Sequence, residues 1–144
     1  MPETVGYLLD TNIVVALIRG NPLGQRINAQ YKLQHNLYRC LVSVVSVGEL
    51  IALGRAFGWG RQKLSKLRGL LEELVWIDIN SWDILEAYGE IYDISNQSGR
   101  SMGENDIWIA ATAKVTGAVL LTTDKDFDHL HGEHLTRIWI DPKK

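Results

Sequence analysis

Leu8-Leu9-Asp10-Thr11-Asn12-Ile13-Val14-Val15-Ala16-Leu17-Ile18-Arg19-Gly20 is the stretch on which the fold turns. Two leucines stop at an acid, and apolar residues then resume at helical spacing until Gly20-Asn21-Pro22 ends them. The pattern predicts a short buried strand over 6–9, a turn at 10–12 and a helix over 13–19. The same alternation runs outward through the chain. A second, more polar helix reaches about residue 35, and Cys40-Leu41-Val42-Ser43-Val44-Val45 is β-branched enough for a central strand, with Ser46 starting a helix through 55. Gly58-Trp59-Gly60 breaks that helix. Leu64, Leu67, Leu70, Leu71 and Leu74 then recur at helical spacing before a strand over 75–79. Residues 81–97 read as a helix with Trp82, Leu85, Tyr88 and Tyr92 turned to the core. Beyond the loop Ser98-Gly99-Arg100-Ser101-Met102-Gly103 the pattern gives a helix over 106–115, a strand over 118–122, a helical turn over 126–130 and a last strand over 136–140. Five strands spaced by helices require right-handed crossovers, hence an α/β fold with a mostly parallel sheet covered on both faces.

The chain has 144 residues, enough for one domain with a single sheet-and-helix core. It is 46% hydrophobic and 22% charged with three prolines, which excludes a disordered or low-complexity protein. A net charge of −2 gives no global pull toward nucleic acid, so any such binding needs a local patch. One cysteine, Cys40, rules out an intramolecular disulfide and fits a reducing cytosol. With no basic-plus-apolar leader before the first strand and no apolar run long enough to span a bilayer, the expectation is a cytoplasmic protein without a membrane partner.

Four acids stand where strands pass into helices or within the first turns of those helices: Asp10, Glu49, Asp106 and Asp124. In an open α/β sheet these points fall on one edge and converge on one pocket. Each has an ordinary alternative. Asp10 fits an N-cap, Ser46-x-x-Glu49 a capping box, Asp106 a helix N-terminus and Asp124 a turn. Their conjunction argues otherwise, because Ser or Asn caps a helix equally well without repulsion. Two like charges about 5 Å apart at an effective dielectric near 20 repel by about 3 kcal/mol. No lysine or arginine obviously neutralises the group, although Lys125 and Arg100 are close in sequence. A hard divalent cation with oxygen ligands is the simpler partner, and such sites suit phosphate-ester chemistry.

The motifs Leu8-Leu9-Asp10-Thr11-Asn12, Ser46-Val47-Gly48-Glu49-Leu50, Asn105-Asp106-Ile107-Trp108-Ile109-Ala110-Ala111 and Leu121-Thr122-Thr123-Asp124-Lys125-Asp126-Phe127 resemble those of PIN-domain nucleases, in order and over almost the whole chain. They are similar in particular to VapC-type toxins of toxin–antitoxin pairs. The resemblance implies a compact, PIN-like α/β/α sandwich whose acids bind Mg²⁺ or Mn²⁺ and cleave RNA. It carries Asp10, Glu49 and Asp106 onto the family's first three acids and Asp124 onto the fourth, with Asp126 as an alternative metal ligand there. Thr11, Asn12, Ser46 and Thr123 are the supporting polar residues. The implied chemistry is in-line attack by water, with Glu49 ligating a second ion or taking the proton, leaving 5′-phosphate and 3′-hydroxyl ends. A cognate antitoxin and a homodimer are implied partners.

An acidic pocket that cuts a polyanion needs basic surroundings. No acid lies between Glu49 and Glu72, whereas Arg55, Arg61, Lys63, Lys66 and Arg68 cluster around Trp59. That hairpin is a candidate phosphate or partner surface with Trp59 available for stacking, the alternative being a solvated helix face with Trp59 packed inside. Arg100 is the expected single phosphate contact near the acids. His129, His131 and His134 lack zinc-ligand spacing, and Trp76, Trp82, Trp108 and Trp139 are expected in the core. Rival functions are a phospho-receiver domain, which needs an acidic doublet after its first strand, a non-catalytic metal- or RNA-binding module, and a nuclease of RNA processing or quality control.

Overall fold

The computed structural model describes residues 6–144; the expectation that no leader occupies the chain's start concerns residues 1–5, which lie outside that range. Five short strands, β1 (Tyr7–Leu9), β2 (Leu41–Ser43), β3 (Val75–Ile77), β4 (Val119–Thr122) and β5 (Arg137–Trp139), form one sheet in the order β3-β2-β1-β4-β5. Every pairing is parallel, with Leu8 opposite Leu41 and Leu120 and Leu121 opposite Ile138. The helices are α1 (Thr11–Arg19), α2 (Pro22–Tyr31), α3 (Val44–Ala56), α4 (Arg61–Glu73), α5 (Trp82–Gln97) and α6 (Glu104–Thr116), with a 3₁₀ turn at Lys125–Leu130.

Alternation of side chains along a strand divides the core in two. Leu9, Val42 and Leu121 join Ile13, Val14, Leu50, Leu67 and Leu71 on one face, whereas Leu8 and Leu120 join Ile84, Ile91, Ile107 and Phe127 on the other. Both faces of the sheet are therefore covered, which is why its strands read as continuous apolar runs. The expected three-layer α/β/α sandwich with five parallel strands is what the chain forms. No helix among the described residues is long and apolar enough to cross a membrane.

Three expectations are corrected. α3 begins at Val44, with Ser43 as the cap accepting from the Val45 amide at 3.1 Å, so Ser46 lies inside the helix and Ser46-x-x-Glu49 is not a capping box. The polar second helix ends at Tyr31, where Lys32 adopts a left-handed conformation, and two 3₁₀ turns carry the chain to Arg39. α5 presents Ile84, Ala87, Ile91 and Ser95 to the core, not the aromatic set: Trp82 is 79% exposed and Tyr92 52%. The physical reason is packing against α6: the positions that face its buried residues Ile107, Ala110, Ala111 and Ala113 are Ile84, Ala87 and Ile91, three to four residues apart, which turns Trp82, Leu85 and Tyr92 outward. Tyr88 alone of that set is partly covered, its ring 4.1 Å from that of Trp108. Trp76, on the edge strand, is also half exposed rather than core.

α1 sets the position of everything at the carboxyl edge of β1. Its C-terminus closes on Gly20, whose left-handed backbone (φ 59°) lets its amide reach the Ala16 carbonyl at 3.1 Å. α2 then crosses so near that a Cβ on Gly24 would lie 2.1 Å from the Ala16 oxygen. We predict that Gly24→Ala, by forcing α2 off α1, costs about 1–3 kcal/mol, read as a lower denaturation midpoint in urea.

Candidate active site

The strand order reverses at β1, which pairs with β2 on one side and β4 on the other. In a parallel sheet this reversal opens a crevice beyond the carboxyl ends of the two strands. Asp10 follows β1 directly and Asp124 follows β4 by two residues. Glu49 reaches the crevice from the second turn of α3 and Asp106 from the first turn of α6.

Asp10 is 3% exposed, and both of its oxygens are held: Oδ1 accepts from the Thr11 amide at 2.8 Å and Oδ2 from the Thr122 hydroxyl at 2.7 Å. It does cap α1, as the ordinary reading has it, but a cap does not need a second, buried hydroxyl from another strand. Each oxygen keeps a further lone pair for a cation. The Thr11 hydroxyl donates to Glu49 Oε1 at 2.7 Å, with the buried Ser46 Oγ 3.0 Å from the same Thr11 oxygen. The backbone of Thr11 thus orients one acid and its side chain another. Asn12 is exposed beside them.

Asp106, Asp124 and Asp126 each bring a carboxylate oxygen to within 4.8 Å of the others. α6 starts on Gly103 with no side-chain cap, so Asp106 is not occupied in capping. Asp124 caps the 3₁₀ turn, accepting from the Asp126 amide at 2.9 Å, while its own amide donates to the Thr122 hydroxyl at 2.9 Å. That bond within the turn sets Asp126 beside Asp124. Of the two threonines at the end of β4, it is Thr122 whose hydroxyl reaches an acid; the Thr123 carbonyl accepts from Trp139 Nε1 at 3.0 Å. Thr122 was not singled out in the sequence, although a threonine closing an otherwise apolar strand is the visible signal.

The electrostatics match a crowded set of acids. Burial, offset in part by the Thr122 and Thr11 hydrogen bonds and reinforced by Asp124 and Glu49, raises Asp10 to about 6. Burial and then repulsion from Asp10, Asp124, Asp126 and Glu49 raise Asp106 to about 7. Asp126 is pushed up by burial and then by Asp124. Hard oxygen donors at this density suit a small divalent cation, so the residues present fit Mg²⁺ or Mn²⁺. The histidines do not contribute: His129 Nε2 is 2.9 Å from Ser95 Oγ, and His131 Nδ1 accepts from the Arg137 amide at 3.1 Å.

The basic residues divide among three places, and Lys66, expected beside Trp59, lies instead in a pocket with Leu17 and Gly20. Arg100 is exposed in the loop between α5 and α6, its amide bonded to the Ser95 carbonyl at 2.8 Å. Arg55, Arg61 and Arg68 instead rim a groove of about 1110 Å³ between α3 and α4, lined by Ile51, Leu64 and Trp76 and by none of the four acids. Trp59 forms a wall of that groove, packed on Gly54 and the core with the Lys63 ammonium 5.4 Å from its ring centre. Its ring is partly buried, packed on one side and lining the groove on the other.

The PIN domain family pattern matches residues 7–133. Ribonuclease VapC1 of Haemophilus influenzae (strain R2866) is 33% identical over 128 residues, which span 86% of this chain and 91% of that protein. Among solved structures, VapBC2 from Rickettsia felis, bound to a DNA fragment from its promoter, is similar with a TM-score of 0.77 and 28% identity over 94% of this chain and 98% of that one. VapBC-1 from nontypeable Haemophilus influenzae gives 0.69 and 29% over 96% and 98%.

The sign of the pH effect follows from the raised carboxyls. A folded-state pKa above the unfolded one means that the native protein holds these protons more tightly, so the stability that Asp10 and Asp106 contribute is fully present below the unfolded value near 3.8 and is lost as pH rises through about 7. In EDTA, the denaturation midpoint is predicted to fall from pH 4.5 to pH 7.5, and Asp106→Asn is predicted to flatten that slope.

Proposed function

The chain belongs to the PIN-domain family, and on that premise we propose that it is a divalent-metal-dependent endoribonuclease, the toxin of a toxin–antitoxin pair. The observation that carries this reading is the group of acids at the sheet's switch point, two of them forced up in pKa. That arrangement is strained in a metal-free protein and relieved by a cation. Relatives named ribonuclease VapC support the substrate class, and relatives solved as VapBC complexes support an antitoxin partner.

Asp106, Asp124 and Asp126, with Asp10, would hold Mg²⁺ or Mn²⁺. When bound, the ion would neutralise charge building on the scissile phosphate and make water a stronger nucleophile. The chain's own residues do the rest. The Thr122 hydroxyl and Thr11 amide fix the Asp10 carboxylate, so no reorganisation is needed as charge develops. Glu49, oriented by the Thr11 hydroxyl, accepts the proton of the attacking water. Arg100 binds a flanking phosphate. The leaving group departs as a 3′-hydroxyl, and the new end carries a 5′-phosphate. The arginine-rimmed groove between α3 and α4 takes an apolar, acid-bearing antitoxin segment.

Loss of an interaction made only as charge develops removes several kcal/mol of transition-state stabilisation. Asp10→Asn and Asp106→Asn should therefore each lower cleavage of RNA by roughly 100-fold or more, while leaving the metal-free fold as stable or more so. Mapping of the cleaved ends should give 5′-phosphates; cyclic phosphates would mean attack by the RNA 2′-hydroxyl and would sink the scheme. Arg100→Ala should raise KM and reduce the slope of log affinity against log salt by about 1, the signature of one lost phosphate contact.

A further inference from the structure

His129 is the one imidazole among the described residues with a buried ring nitrogen lacking a hydrogen-bond partner, and the chemistry above does not use it. Its Nε2 is 2.9 Å from Ser95 Oγ, across 34 residues of sequence. Ser95 is 1% exposed in the last turns of α5, and its hydroxyl lies 3.2 Å from Met102 Sδ, to which it donates. The Ser95 carbonyl accepts the Arg100 amide at 2.8 Å. A serine beside a histidine has the composition of a hydrolytic pair. Here the serine is sealed in the core, so it cannot meet a substrate.

The connectivity has a different use. His129 sits on the Lys125–Leu130 turn that carries Asp126. Ser95 anchors the loop that carries Arg100, and Met102 is followed directly by Gly103 and the first turn of α6 with Asp106. Three hydrogen bonds centred on Ser95 thus tie together three segments, each bearing a different group of the site. We propose that His129 is a positioning residue of the acidic pocket: its bond to Ser95 locks the Asp126 turn in register with the Arg100 loop and the start of the Asp106 helix. Burial and the nearby Arg100 charge hold the ring below the ordinary imidazole range, against Asp126 and Asp128. This assignment rests on the reading of the pocket as a metal site and adds to it a residue that touches neither metal nor RNA.

The test is Mn²⁺ binding by calorimetry on the full chain and on Ser95→Ala, His129→Phe and His129→Gln, with the metal dependence of RNA cleavage measured in parallel. Outer residues that orient metal ligands typically control affinity by about 10- to 100-fold. Ser95→Ala and His129→Phe are expected to weaken Mn²⁺ binding by about 10-fold or more, with kcat largely recovered at saturating metal. His129→Gln, whose amide can still donate to Ser95, is expected to restore most of the affinity. The double variant Ser95→Ala/His129→Phe should be no worse than Ser95→Ala alone, because the lost hydroxyl already cuts the link to His129. Ser95→Ala removes only a hydroxyl and keeps the test decisive if His129→Phe fails to fold. Unchanged Mn²⁺ affinity in Ser95→Ala, or a loss in His129→Phe that His129→Gln does not rescue, overturns the inference while leaving the metal site standing. If the unaltered chain fails to bind Mn²⁺, the metal reading falls and this inference falls with it.

Discussion

A carboxylate buried at the switch point of a parallel sheet is the constraint from which the rest follows. Asp10 is sunk between the ends of β1 and β4, and burying an ionised acid is costly unless its charge is met. The protein meets it with two hydrogen bonds, one from the next amide and one from a threonine on the neighbouring strand. Those bonds hold Asp10 in place but do not neutralise it, and Asp106, Asp124 and Glu49 crowd the same crevice. Geometry fixed this firmly with an electrostatic strain left unrelieved is the mark of a site prepared for a cation.

The two faces of the sheet serve different purposes around that point. On one, α1 and α3 bring Thr11, Ser46 and Glu49 together through side-chain bonds across 35 and 38 residues of sequence. On the other, α5, α6 and the 3₁₀ turn supply Asp106, Asp126 and Arg100. The basic surface is likewise split. Arg100 stands in the loop between α5 and α6, while the arginines of α3 and α4 surround an apolar groove elsewhere.

Most of the architecture was legible in the chain because buried parallel strands and their punctuation leave strong local signals: Leu8-Leu9 before Asp10, Val42-Ser43 before α3, Leu120-Leu121-Thr122 before Asp124. The acids were legible for the same reason, each sitting at a passage from strand to helix. What escaped was set by long-range packing. The buried face of α5 could not be chosen from its own residues, since aromatic side chains look like core until packing against α6 turns them outward. Thr122, rather than Thr123, meets Asp10 because strand pleating decides which hydroxyl faces β1. The Ser95–His129 link joins positions with no shared local pattern, and only the fold makes them neighbours.

The most direct test of the central claim is a crystal of the protein grown with Mn²⁺ and measured at a wavelength where manganese scatters anomalously. The account predicts an anomalous peak in the crevice beyond β1 and β4, ligated by oxygens drawn from Asp10, Asp106, Asp124 and Asp126. Carboxylates bonded only to their own amides and hydroxyls, with the peak absent or located elsewhere, would contradict it.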